Sequence, residues 1–340
     1  MTARAIVTAR VNVTPRVRTG IRWAIGLVVL GVLVSTLDLA ALGARLGSLN
    51  VGIAVPAILG LVAVHLVAAT SWRRLTWHLA GVRLDWRTTI RLYYAGQALG
   101  TVTPANLGAD VYRVMATDGG PGRIRMARPV VIQRLMSIVA LLLFGVVGAL
   151  VVPIHGLGLF VAALLALATG VSAFAVVATR GAPSLRARFV RGPLLRMVQR
   201  LGLDRATNAP AGKLASAARD GLGLGLVFHG LSLLMGLALV AAVEPSAVAH
   251  PVEVLGALAI ARLSLTVPIS PNGIGIQEGA LAILFVRLGL PPDVALAAAL
   301  LNRLALLLTA GIGAMALARG ARRQPSAPVR PVMTEAAPGR

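Results

Sequence analysis

The sequence predicts an all-α polytopic membrane protein, an inverted-topology repeat with about six full transmembrane helices and two re-entrant, broken helical hairpins. Three observations predict it. The 340 residues are 57% hydrophobic with a mean hydropathy of +0.83, above the roughly 45–50% of soluble domains. Apolar runs long enough to cross a bilayer alternate with Arg-rich segments. Two stretches inside the apolar chain, TVTPANLGAD and TVPISPNGIGIQE, carry proline, glycine and an acid where an ordinary span would carry none.

Residues 1–22 hold five Arg and no acid and read as a basic cytoplasmic tail. The run 23–42 exceeds the roughly 7–15 apolar residues of a signal peptide, so it reads as a retained helix, with ALGA at 41–44 leaving cleavage open. Further spans are expected at 51–69, 129–152, 157–179, 221–243 and 293–316. The first membrane half is 23–220 and the second 221–318; 319–340 reads as a disordered tail. Loop 70–91 has five Arg against Asp85, and loop 180–220 has nine basic residues against two Asp. The positive-inside rule places both loops and both termini in the cytoplasm. Part of 180–220 reads as an interfacial amphipathic helix. Trp72, Trp77 and Trp86, set among Arg, read as an interfacial belt.

The formal charge is +22, and every basic residue but Lys213 is Arg. Because the Arg residues lie between apolar runs, they mark topology; no nucleic-acid partner is expected. The absence of Cys excludes disulfides and thiolate metal sites. No metal-ligand spacing is found, and no cofactor is expected. GLGLGL at 221–226 follows no strand and reads as a helix-packing face.

Two segments do not fit simple crossings. The one near 88–119 has basic loops at both ends, and the one near 252–289 has weakly charged loops at both ends. Each should enter and leave on one side, the two in opposite senses. Their motifs correspond. Thr103, Pro104 and Gly108 lead to Asp110; Ser270, Pro271, Gly273 and Gly275 lead to Glu278. Gln133-Arg134-Leu135 then matches Asn302-Arg303-Leu304, 30 residues after Pro104 to Arg134 and 32 after Pro271 to Arg303. Ordered matches on hairpins of opposite sense point to a transporter whose broken segments line the binding site. The expected substrate-binding residues are therefore Asp110, Arg134, Arg262, Glu278 and Arg303, with Asp110 beside Arg134 and Glu278 beside Arg303 around a central cavity. An unpaired ion in a membrane helix costs about 2.5–3.5 kcal/mol. The alternative reading makes the pairs buried struts. His65, Tyr93, Tyr94, Gln97 and His229 are weaker cavity candidates.

VPISPNGIGIQEGALAILFVRLGL…LLNRL, with TPANLGADVYRV ahead of a basic segment, resembles the lysylphosphatidylglycerol synthase transmembrane-region family, the flippase-like domain, over about residues 20–318. The resemblance implies a multi-pass protein of the bacterial cytoplasmic (inner) membrane that moves a phospholipid, aminoacylated or zwitterionic, or a lipid-linked headgroup between leaflets. Its partners would be membrane lipids and, as an open alternative, further copies of the chain. Two departures stand out. Gly108-Ala109-Asp110 stands where Gly-Glu is expected, so the acid is shorter and displaced by one residue, and no aminoacyl-transfer domain is found, so no enzyme activity is carried over. The alternatives are a non-transporting subunit that docks a cytoplasmic protein, or a membrane-embedded lipid transferase.

Overall fold

The computed structural model describes residues 39–103, 106–117, 123–152, 211–264, 270 and 272–321, and all regular structure among them is helical. In chain order these are α1 (Leu39–Gly47), α2 (Val51–Ala63), α3 (His65–Ala80), α4 (Trp86–Thr101), α5 (Leu107–Ala116), α6 (Arg123–Val151) and α7 (Ala211–Val243). A short 3-10 turn (Pro245–Ala249) leads to α8 (Pro251–Leu263), α9 (Ile276–Arg287) and α10 (Pro292–Ala321). Tail 1–22, nearly all of run 23–42, run 157–179, residues 180–210 of the basic loop, Pro104, Pro271 and tail residues 322–340 lie outside the described residues.

Four helical stretches are long and apolar enough to cross a membrane: Val51–Ala80, Met126–Val151, Gly212–Val243 and Pro292–Arg319. Large apolar side chains point outward from them, among them Leu150 at 77% exposure. Such surface suits lipid, not water.

The helices exceed the expected spans at several ends. Loop 70–91 is mostly helix: α3 continues to Ala80 and α4 begins at Trp86, leaving only residues 81–85 between them. Local chemistry fixes this corner. Gly81 adopts φ 68° as the C-cap of α3, a left-handed geometry that glycine takes without strain. Asp85 caps α4 by accepting from Thr88 N at 2.9 Å. Arg73 Nε donates to Leu84 O at 2.7 Å, and its guanidinium stacks over Trp86 while that of Arg83 stacks over Trp77. Trp72 departs from the interfacial belt. It is fully buried beside Tyr93, whereas Trp77 and Trp86 stay exposed. The last part of loop 180–220 is likewise helix, because α7 starts at Ala211.

Between these spans lie two pairs of short helices, α4–α5 and α8–α9, each interrupted by a non-helical break. With 10 to 16 residues apiece, each arm extends roughly 15–24 Å at 1.5 Å per residue, short of the roughly 30 Å apolar core. Arm α4 packs along α10, and arm α8 along α6. Both crossings are made on glycine. A Cβ on Gly148 would lie 2.7 Å from Gly256 O, and one on Gly313 would collide with Tyr94 O. Backbones at this separation leave no room for a side chain. Helices α3 and α7 pack together at the centre. The largest apolar core sits toward the end of the bundle holding residues 240–300, around Val240, Val254, Phe285 and Val294.

Candidate functional site

A helix starts with N–H groups that have no intrahelical acceptor, and a buried start must find them partners elsewhere. At the break before α5, Asn106 takes φ 58° to turn the chain. Thr103 Oγ1 accepts from Gly108 N at 2.8 Å, and Asn106 Nδ2 donates to Gln97 Oε1 at 3.1 Å. Gly108 is held close to α4: a Cβ there would lie 2.5 Å from Leu99 O. At the break before α9, Asn272, Gly273 and Gly275 take φ 45°, 70° and 80°. Here the acid itself is the cap, with Glu278 Oε2 accepting from Gly275 N at 2.8 Å.

Both acid–arginine neighbours form. Asp110 pairs with Arg134, and also with Arg113 at 2.5 Å. Glu278 pairs with Arg303, whose Nε reaches Oε1 at 3.1 Å while Nη1 donates to Asn272 O at 3.0 Å. Their surroundings differ. Asp110 and Arg134 line a cavity of about 280 Å³ between the helices, together with Arg262. Glu278 and Arg303 are not among the described residues of its wall. Glu278 is buried at 5% exposure, and its two oxygens are taken by the cap and the guanidinium. Of the two pairs, the described wall of this cavity holds Asp110 and Arg134, and it reaches the second pair through the neighbouring Gln277 and Asn302. Glutamate at the third position of α9 folds back to the helix start, whereas Asp110, one position further along α5 and one methylene shorter, points to its arginines instead.

The remaining candidates divide similarly. His65, His229, Gln97 and Tyr93 line the cavity. Tyr94 does not; its hydroxyl donates to Val62 O at 2.7 Å and ties α4 to α2. Thr103, Gly108, Gly273 and Gly275 shape the breaks, and buried Ser270 Oγ has no hydrogen-bond partner among the described residues. Arg262 Nη2 donates to Ser232 O at 3.0 Å, and no described carboxylate lies within ion-pair distance of it.

Arg113, Gln133 and Asn302 also line the cavity and were not among the expected binding residues. Arg113 is buried, lies over the rings of Trp72 and Tyr93, and donates to Gln133 Oε1 at 2.8 Å. Gln133 Nε2 in turn donates to Ala68 O at 2.6 Å. A signal for Arg113 was present: it stands three residues after Asp110 on one helix face. Among the described residues no group of three His, Cys, Asp or Glu could hold a metal ion. The cavity offers charge and hydrogen bonds to a polar group, beside walls such as Leu61, Leu141 and Phe228 that suit an apolar one.

The description of the family model that matches residues 21–313 is "Lysylphosphatidylglycerol synthase TM region". No curated protein and no solved structure matches the chain.

Proposed function

The chain belongs to the lysylphosphatidylglycerol synthase TM region family, and on that premise we propose that it is a flippase-like carrier, not an enzyme, which moves a phospholipid or lipid-linked headgroup between the leaflets of the bacterial cytoplasmic membrane. The observation that carries this reading is the charged cavity between broken helices, lined from both halves of the chain by Asp110, Arg134 and Arg262. A headgroup would sit there while its acyl chains stay in lipid.

The packing supports an inverted repeat. Matching α2–α3, α4, α5 and α6 with α7, α8, α9 and α10 gives each helix contact a counterpart: α4 on α10 answers α8 on α6, and α5 on α4 answers α9 on α8. The short arms suit re-entrant hairpins of opposite sense. The cavity's position supports alternating access. Its wall uses residues 133–141 of α6, 221–232 of α7 and 302–309 of α10, away from the end where α7 meets α8. That end is closed. Asn50 N donates to Ala242 O at 2.9 Å, Gly148 and Gly256 touch, and Arg45 bridges Glu244 and Asp293 at 2.6 and 2.9 Å. In this reading the open half faces the cytoplasm, where the Arg-rich segment 70–91 and both termini would lie.

The test reconstitutes the protein with tail-labelled phospholipids and follows leaflet exchange by dithionite quenching. Exchange should rise above empty vesicles and fall at least about tenfold in Arg134→Ala, the scale of one lost charge-assisted contact. Identical quenching with and without protein would remove the proposal.

A further inference from the structure

We infer that the cavity selects a headgroup carrying net negative charge, such as a phosphate without a compensating amine, and disfavours a cationic aminoacylated one. The inference rests on the carrier reading and names its substrate class.

A carboxylate that no guanidinium already pairs is the group best suited to a cationic headgroup. Two acids stand at the repeat-related breaks, and each is already paired with arginine. Glu278 is buried outside the cavity wall, one oxygen capping Gly275 N and the other held by Arg303. Asp110 reaches the cavity, but its two oxygens are divided between Arg113 and Arg134. It is the sole carboxylate among the described wall residues, which also hold three guanidinium groups, those of Arg113, Arg134 and Arg262. The wall therefore carries a formal excess of positive charge.

Arg262 is the anchor. It is held from the opposite half of the chain to Asp110, its Nη2 is fixed on Ser232 O, and no described carboxylate neutralises it. A planar guanidinium with donors left over is suited to the oxygens of a phosphate. Asn302, Gln133 and Ser137 add neutral polar side chains to the same wall. An ammonium in this space would lie among guanidinium groups whose one described carboxylate is already paired, and like charges at close range disfavour it.

Two readouts test this separately from transport. In the first, detergent-solubilised full-length protein is titrated with short-chain phosphatidic acid, phosphatidylglycerol, phosphatidylethanolamine and lysylphosphatidylglycerol, and thermal stabilisation or intrinsic tryptophan fluorescence reports binding. The two anionic lipids should bind at least about tenfold more tightly than the lysyl lipid, the scale of one charge-assisted hydrogen bond. Arg262→Gln should remove that preference and Arg262→Lys should retain most of it; a thermal scan without lipid confirms that each variant is folded. If Arg262→Gln does not fold, the wild-type ranking and Arg262→Lys still decide. Inorganic phosphate competing as well as the short-chain lipids would assign the site to a free anion and overturn the lipid headgroup. Equal or tighter binding of the lysyl lipid overturns the charge inference.

The second readout is leaflet exchange of the same four headgroups in vesicles. Anionic preference in binding with no exchange of any lipid sinks the carrier reading and leaves the site's charge selectivity standing. Exchange that favours the lysyl lipid keeps the carrier and sinks the selectivity.

Discussion

At the first break a threonine hydroxyl serves the new helix's N–H groups; at the second a glutamate carboxylate does. The two segments start from similar residues, turn through left-handed backbone at Asn106 and at Gly273, and are followed by helices carrying an arginine. One residue of offset separates their outcomes. Where the acid stands at the third helical position it closes the cap and becomes structural. Where it stands at the fourth, the hydroxyl takes over capping and the acid is free to line the cavity. The pair teaches that a repeated motif conserves a backbone solution more strictly than a chemical role.

The largest effect should come from Glu278→Ala. It strips the cap from Gly275 and leaves Arg303, only 16% exposed, without its carboxylate, a change worth about 3–5 kcal/mol. Thermal unfolding should show it. Asp110→Asn should cost no more than about 2 kcal/mol, because Arg134 is one-third exposed to the cavity and Arg113 keeps Gln133. Yet Asp110→Asn should shift headgroup binding further toward anionic lipids, because it leaves the Arg113 and Arg134 guanidinium groups without their shared carboxylate. If Asp110→Asn is the more destabilising of the two, the division into strut and cavity residue is broken.

The helix crossings come next. Gly256→Val in the arm of the second pair and Gly313→Val against the arm of the first should each cost about 1–3 kcal/mol through overpacking. Gly313→Val should be the worse, since its Cβ would run into the Tyr94 carbonyl. Equal tolerance at both sites in a thermal scan would mean that the crossings are looser than the backbone contacts require.

A finer contrast lies in the hydroxyls. Thr103→Val removes a cap and should cost about 1 kcal/mol. Ser270→Ala should cost nothing or stabilise, since its buried Oγ has no described partner to lose. Chemical denaturation of the two variants side by side checks the difference.

The smallest effect is a dependence on acid. Hydrogen bonds from Thr88 hold the Asp85 carboxyl below its usual range ahead of the first pair of arms, and hydrogen bonds from Ser246, with Arg45 adding, do the same for Glu244 ahead of the second. A carboxylate whose folded pKa is depressed stabilises fully above its unfolded pKa, about 4, and loses that contribution as pH falls through the folded value. The melting temperature should therefore be flat from these groups between pH 6 and 8 and fall below about pH 4. Asp85→Asn and Glu244→Gln should each flatten the acid limb. The Glu244 change should matter more, because Arg45 also joins it to Asp293.

Much of this was legible in the chain. An apolar run of bilayer length has few ways to exist except as a span, so the cores of four spans could be read directly from hydropathy. Proline, glycine and asparagine in the middle of such runs mark broken backbone because their steric limits are local. An acid and an arginine at matched spacings predict neighbours, since an isolated ion in lipid is so costly. Helix ends were harder. Ala80 and Trp86 lie close together because Arg73 and Arg83 stack on tryptophans across the corner, a contact that charge counting reads as loop.

Only the tertiary structure decided which side chains share the cavity. Asp110 and Glu278 look alike in the sequence, but a shift of one residue rotates a helical side chain by about 100°. That turn, with the cap already supplied by Thr103 in one case and lacking in the other, sends one acid to the cavity and the other into the wall. Arg113 and the burial of Trp72 were settled in the same way, by which helix happened to pack against each face. Composition and spacing determine that a backbone must break and that charges must pair; direction is a property of the assembled helices, because it depends on partners distant in the chain.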